Sequence, residues 1–210
     1  MDEAAPVALE PRRLGRPAGS DSGETRRRIM DAAARLVAER GYPDATLKDI
    51  ALAAGVTGAA LYRYFPSKVE LVAATVRQST EAIIPRLSAA SAGPAPFRTV
   101  FHALLDEALR CAQDHPYITR LYYAVEAQRS EPALAALVQE VLGEQHRLML
   151  ALVGRYRSAI DPGVSDEAAA DALLALMRGL TEFSAEVSPE RHAAALRAAA
   201  LLVEGRLVAD

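Results

Sequence analysis

The 210-residue sequence predicts an all-α chain, and three observations carry that prediction. Hydrophobic residues make up 51% of it but aromatics only 5%, and Ala and Leu, both strong helix formers, dominate the apolar content. Apolar positions recur at helical spacing, as in Ile29, Ala33, Leu36 and Val37 on one stripe. No segment alternates with period two and no hairpin turn joins two apolar runs.

The elements follow in order. Residues 1–20, rich in Pro, Gly, Ala and Arg and without periodicity, read as a disordered arm. Asp21 with Glu24 has capping-box spacing and opens the first helix. Gly41 suits its C′ position, with Tyr42 folding back onto Leu36 or Val37. Thr46 with Asp49 opens a second helix, with Ile50 and Ala53 inward, that stops at Gly55. Thr57 opens a third, very short helix, anchored by Leu61 and ending before Pro66. Ser67 with Glu70 opens a fourth, which Pro85 and residues 92–96 separate from a fifth carrying Phe97, Val100, Phe101, Leu104, Leu105 and Leu109. Pro116 opens a sixth helix and Pro132 a seventh. The seventh keeps its apolar period from Leu134 to Tyr156 and is ended by Asp161-Pro162-Gly163. The eighth follows Ser165, and the ninth follows Ser188 with Pro189 at its first position.

Net charge is −3, unevenly spread: residues 1–68 carry +2 and residues 69–210 carry −5. Within the first part Arg12, Arg13, Arg16, Arg26, Arg27 and Arg28 cluster. Cys111 is the only cysteine, which excludes an intrachain disulfide and fits a reducing cytoplasm. No apolar run approaches the roughly 20 residues of a bilayer span, and the N-terminus lacks a signal-peptide pattern, so the expectation is a soluble cytoplasmic protein with no membrane partner. Cys111 and His115 share a helix face but are too few to hold a metal. Glu144 and His146 face different sides of a helix. No nucleophile elbow, Walker loop, dinucleotide glycine motif or His-Glu-x-x-His occurs. The expectation is a protein without catalytic residues, metal or cofactor.

Residues 46–65 carry the functional signal. Ala54-Gly55-Val56 joins two short helices: Gly55 permits a left-handed turn, Val56 plugs the angle, and Ala53 is small enough for close approach. This is the helix-turn-helix pattern, whose second helix enters the major groove of DNA. Thr57 caps that helix, whose free N–H groups can face a phosphate. Tyr62, Arg63 and Tyr64 supply hydroxyl and guanidinium donors, and Lys68 stands where a phosphate backbone would run. Lys48 is a surface cation near phosphate, and Arg26–Arg28 read as a charged helix face.

The chain from Arg28-Ile29-Met30-Asp31-Ala32-Ala33 through Gly41-Tyr42, Thr46, Ile50-Ala51, Ala54-Gly55-Val56-Thr57, Leu61-Tyr62-Arg63-Tyr64-Phe65 and Ser67-Lys68-Leu71 resembles the TetR family of transcriptional regulators. The resemblance implies a dimeric, two-part, all-helical repressor that binds double-stranded operator DNA and releases it when a small ligand enters. It implies phosphate contacts at Thr46, Thr57, Tyr64 and Lys68, and base-edge positions at Gly58, Ala59, Tyr62 and Arg63. Residues 58–60 hold few donors, so Arg63 and Tyr62 carry direct readout, with the Ala59 and Ala60 methyls available to thymine methyls.

Three further expectations concern the rest of the chain. Residues 1–20 form the arm, 21–68 the DNA-binding domain and 69–210 a ligand-binding and dimerisation domain. His102, Tyr117, Tyr122, Tyr123, Glu126, Gln128, Met149, Met177 and Phe183 are polar-tipped or soft side chains suited to a pocket for a small hydrophobic or amphipathic molecule. The last two helices are apolar over much of their circumference, through Leu173, Leu174, Leu176, Met177, Leu180 and Phe183 and then Leu196, Leu201, Leu202, Leu207 and Val208, which suits a homodimer interface. An activator, a ligand-independent DNA-organising protein and a small helical enzyme are the rival readings.

Arg16, within Arg12-Arg13-Leu14-Gly15-Arg16-Pro17, suits insertion into a narrow minor groove, the alternative being a solvated tail. Deleting residues 1–19 is expected to weaken operator binding and flatten its salt dependence, by up to about 0.9 in log–log slope for each phosphate that is no longer neutralised. An unchanged slope in a salt-titrated binding assay refutes insertion of the arm.

Overall fold

In the computed structural model, residues 20–184, 186–205 and 207 are described. Among them are nine α-helices and no strand: α1 (Ser20–Arg40), α2 (Leu47–Ala53), α3 (Gly58–Tyr64), α4 (Lys68–Ala90), α5 (Phe97–Asp114), α6 (Ile118–Glu126), α7 (Pro132–Arg155), α8 (Asp166–Ser184) and α9 (Pro189–Val203). The arm with Arg12, Arg13 and Arg16, and Val208 at the other end, lie outside the described residues.

Side-chain caps place several helix starts where the sequence predicts them. The hydroxyl oxygens of Thr46, Thr57, Ser67 and Ser188 accept from the backbone N–H of Asp49, Ala60, Glu70 and Arg191. Gly41 ends α1 at φ +83°, the left-handed region.

Three local expectations are corrected. Pro85 does not end the fourth helix, since α4 runs through it to Ala90. The missing N–H frees only the Glu81 carbonyl; both residues are exposed, so water can take that bond. The seventh helix stops at Arg155, before Asp161-Pro162-Gly163, and a short 3₁₀ turn (Arg157–Ala159) follows. Tyr156 is pinned there: its hydroxyl donates to the Ala95 carbonyl at 2.6 Å and its ring meets Phe97 edge-on at 5.5 Å. Ala53 is exposed, not inward; the buried face of α2 is Ile50, Ala51 and Ala54, the i, i+1, i+4 set that about 100° per residue puts on one side.

Two hydrophobic cores result. The first joins Ile29, Val37, Ile50, Leu61 and Leu71 of α1–α4 to Leu121 and Val125 of α6 and Leu134 and Leu137 of α7. The second joins Phe101 and Leu104 of α5 to Leu152 of α7, Leu173 and Met177 of α8 and Leu196 of α9. Helix α7 therefore runs through both cores, its first half in one and its second half in the other. Burying each Leu contributes about 1.5–3 kcal/mol. Ion pairs tie the outer faces: Arg77 holds Glu140 between α4 and α7, and Arg86 holds Glu107 and Asp114 between α4 and α5.

On α9, facing Leu180 of α8, His192 is 5% exposed and its Nε2 has no partner. Burial pushes its pKa below the usual imidazole value, against a hydrogen bond with the Leu180 backbone. The unfolded chain then binds the proton more readily. Stability from this group is full above about pH 6.5 and is lost as pH falls through the depressed value. Urea unfolding between pH 7.5 and 5 should show this loss in the wild type and a smaller one in His192→Leu; equal losses refute the assignment.

Candidate functional site

The turn between α2 and α3 is built by backbone geometry. Gly55 sits at φ +66°, and its N–H donates to the Leu52 carbonyl while the Val56 N–H donates to Ala51. Val56 packs, half-buried, against the first core, and Thr57 then caps α3. Leu61 and Phe65 anchor α3 from below, which turns Gly58, Ala59, Tyr62 and Arg63 outward; Tyr62 is 56% exposed. Ala60 is half-buried beside them. Thr46, Lys48 and Thr57 lie on the same module, Thr46 and Thr57 at the starts of its two short helices.

Tyr64 is half-buried and packs against the first core. Lys68 is occupied from two sides: its Nζ donates to the Pro43 carbonyl at 3.1 Å and lies 4.3 Å from the Tyr42 ring centroid. Burial lowers its pKa, with Asp44 opposing. Thr46 also donates to Asp49, whose carboxylate pairs with Arg40 at 3.3 Å.

The arginines of α1 brace this module. Arg28 donates to the Ala54 carbonyl at 3.0 Å and so satisfies the C-terminal end of α2. Arg26 lies 5.1 Å from the Phe65 ring centroid at the end of α3. Arg27, weakly paired with Asp31 at 4.0 Å, stands as a plain charged surface. Sequence pattern placed all three on one charged face and missed the two braces. The signal was their position, one and three residues before the fully buried Ile29.

A second feature is a cavity of about 160 Å³ among α4, α5, α6, α7 and α8. Its wall is mainly apolar, with Ile83, Ile84, Leu87, Leu148 and Leu174 among the lining residues. Of the predicted pocket residues, Tyr122, Tyr123, Met149 and Met177 come together there. The others lie elsewhere. His102 pairs with Glu204 at 2.9 Å at the α5–α9 edge. Glu126 sits behind the wall, bound to Arg178 and Arg129. Phe183 carries the Arg191 guanidinium 5.8 Å from its ring centroid. Tyr117 is exposed before α6.

The polar end of the cavity is a network that sequence pattern did not reveal. Arg178 donates through Nη1 to the Tyr122 hydroxyl at 3.1 Å and through Nη2 to both Glu126 oxygens at 3.2 and 3.0 Å. Tyr123 donates its hydroxyl to the Arg178 carbonyl at 3.3 Å. Burial pushes the Tyr123 pKa up, with the Arg178 charge opposing. Gln145 also lines the wall, its buried Oε1 without a partner. Both missed residues interrupt apolar runs, Gln145 between Val141 and Leu148-Met149 and Arg178 directly after Leu174 and Met177, and that interruption was the available signal.

A short helix presented outward by a glycine turn, locked to an all-helical body with an apolar cavity, defines a helix-turn-helix protein. The model for "Bacterial regulatory proteins, tetR family" matches residues 29–75. The HTH-type transcriptional regulator BetI of Rhizobium meliloti is 31% identical over 157 residues, 74% of this chain and 75% of BetI. An uncharacterized HTH-type transcriptional regulator, TtgW of Pseudomonas putida, is 43% identical over 63 residues, 30% of this chain; the match spans about half of TtgW, 47%. In three dimensions the transcriptional regulator FadR from Bacillus subtilis, solved in complex with stearoyl-CoA, superposes with a TM-score of 0.71 at 17% identity, over 85% of this chain and 98% of FadR, which shows a shared fold. The chain belongs to the tetR family of bacterial regulatory proteins.

Two glycines, Gly55 in the turn and Gly58 at the start of α3, separate the effect of a left-handed backbone from that of an added methyl. Gly55→Ala forces a Cβ into the left-handed region and should cost about 1–2 kcal/mol in urea unfolding. Gly58→Ala, in a helix with open space at its Cβ, should cost less than about 0.5 kcal/mol. Equal costs refute the role given to the turn.

Proposed function

We propose that this chain is a sequence-specific DNA-binding repressor, released from its operator by a small molecule held in the α4–α8 cavity. The observation that carries it is the outward face of α3, where Gly58, Ala59, Tyr62 and Arg63 stand clear of a core anchored by Leu61. Arg63 and Tyr62 read base edges; Ala59 and Ala60 offer methyls; Thr46, Lys48, Thr57, Tyr64 and Lys68 meet phosphates. Arg16 of the arm enters the adjacent minor groove. Residues 21–68 are the DNA-binding unit and 69–210 the ligand-binding and dimerisation unit.

Family membership supports the DNA reading. The apolar lining of the cavity supports a hydrophobic or amphipathic ligand, and the likeness to a FadR solved with stearoyl-CoA supports a ligand-responsive body. Coupling runs through α4, which begins soon after α3 ends and lines the cavity through Thr80, Ile83, Ile84 and Leu87. A coupling of about 1–3 kcal/mol changes operator affinity roughly 5- to 150-fold.

The protein acts as a homodimer through α8 and α9. Ala168, Ala172, Ala175 and Gly179 form an exposed row of small residues along α8, which permits close helix approach, and Leu202 of α9 is 52% exposed. A two-fold dimer sets the recognition helices roughly 34–36 Å apart, or a multiple, to match successive major grooves. Its place of action is the cytoplasm, where operator DNA lies. Among the described residues no helix is long and apolar enough to cross a membrane.

Operator selection followed by mobility shift tests the reading. Arg63→Ala should cost about 1–3 kcal/mol against the selected operator, with little change on random duplex. Lys48→Ala should weaken both alike. A purified protein that prefers no duplex over random competitor overturns the proposal, and a monomer at micromolar concentration in sedimentation overturns the dimer.

A further inference from the structure

The lining of the α4–α8 cavity narrows the chemistry of what fits it. Several of the polar groups that reach the wall are already engaged. Thr80 and Thr181 turn their hydroxyls back onto their own helices, donating to the Val76 and Met177 carbonyls. Tyr123 spends its proton on the Arg178 carbonyl. Among the described residues Arg178 is the one cationic side chain of the wall, and Glu126 neutralises it through both carboxylate oxygens. Glu126, whose side chain is 17% exposed, is held from the other side by Arg129.

Three polar side chains remain open: Tyr122, Gln145 and Thr119, whose buried hydroxyl lies on the same wall. The Tyr122 hydroxyl accepts from Arg178 and keeps its own proton to give; accepting from a cation makes it a stronger donor. The Gln145 amide supplies a buried acceptor oxygen without a partner. An anion entering here finds no uncommitted positive charge on the wall, Arg178 being bound to Glu126 and Arg129 standing behind that carboxylate with its side chain 56% exposed. It must either lose its hydration unpaired or take Arg178 from Glu126 and leave that carboxylate to the solvent-screened Arg129 alone, both costly.

We propose that the cavity selects an uncharged, largely apolar molecule carrying one oxygen function, a carbonyl or hydroxyl met by Tyr122, and discriminates against carboxylates of the same length because Glu126 has already consumed the charge of Arg178. The proposal rests on the reading of this cavity as the ligand site. Glu126 is then a specificity residue that acts from behind the wall.

Matched probes test it: 2-nonanone, octanoate and nonane, each titrated into the full-length protein at pH 7.5, with affinity read from the rise in melting temperature and from calorimetry. Wild type should bind 2-nonanone at least about tenfold more tightly than octanoate, an unmet buried polar group or charge being the larger penalty. Tyr122→Phe should reduce the preference for 2-nonanone over nonane about three- to tenfold, the range of one neutral hydrogen bond. Glu126→Gln should free Arg178 and raise octanoate affinity about tenfold or more, while 2-nonanone changes little. Octanoate binding wild type as tightly as the ketone, or gaining nothing in Glu126→Gln, overturns the proposal while leaving the cavity a ligand site. If none of the three probes alters the melting temperature or heat signal, the reading of the cavity itself fails, and the proposal with it.

Discussion

Leu121 and Val125 of α6 are fully buried in the same core as Ile29 and Val37 of α1 and Leu61 of α3. The rest of the molecule depends on that interlock. A three-helix module of about 45 residues is small for independent stability, because small domains bury a low fraction of their surface. Here the helix-turn-helix shares its core with α6 and the first half of α7, so its stability is partly borrowed from the body. Whatever shifts α6 or α7 therefore acts on the packing beneath α3.

Helix α7 gives this arrangement its stiffness. Leu134 to Val141 lie in the first core and Met149 to Val153 in the second, so one rod about 36 Å long, at 1.5 Å per residue, passes through both. Helix α4 makes a second connection: Leu71 to Val76 belong to the first core, while Leu87 packs on the second. The cavity opens between these two rods. A change in their spacing therefore works on both cores at once, since packed interiors transmit displacement instead of absorbing it.

Arginine serves three distinct purposes in this chain. Arg26 and Arg28 brace the module by covering Phe65 and capping α2. Arg178 organises the polar end of the cavity and is charge-balanced by Glu126. Arg63 alone in α3 points a cation outward, among side chains with little hydrogen-bonding capacity. The same guanidinium chemistry thus supports a fold, a cavity wall and an outward surface, and only position distinguishes the three.

Local chemistry in the sequence settled the starts of α2, α3, α4, α7 and α9, the left-handed turn at Gly55 and the inward place of Ile50 and Leu61, because caps, glycine turns and 3.6-residue periodicity act within a few residues of each other. Its weak points were also local competitions: a solvent-facing Pro85 that α4 tolerates, and Ala53, which shares its type with the buried Ala51 and Ala54 but not their direction. Tertiary structure alone decided which polar residues meet. Tyr122, Arg178 and Gln145 come from α6, α8 and α7 and gather only when those helices pack, whereas His102 and Phe183, equally suited by type, are carried to other edges. Residue type sets what a side chain can do, and the packing of distant helices sets whom it does it with.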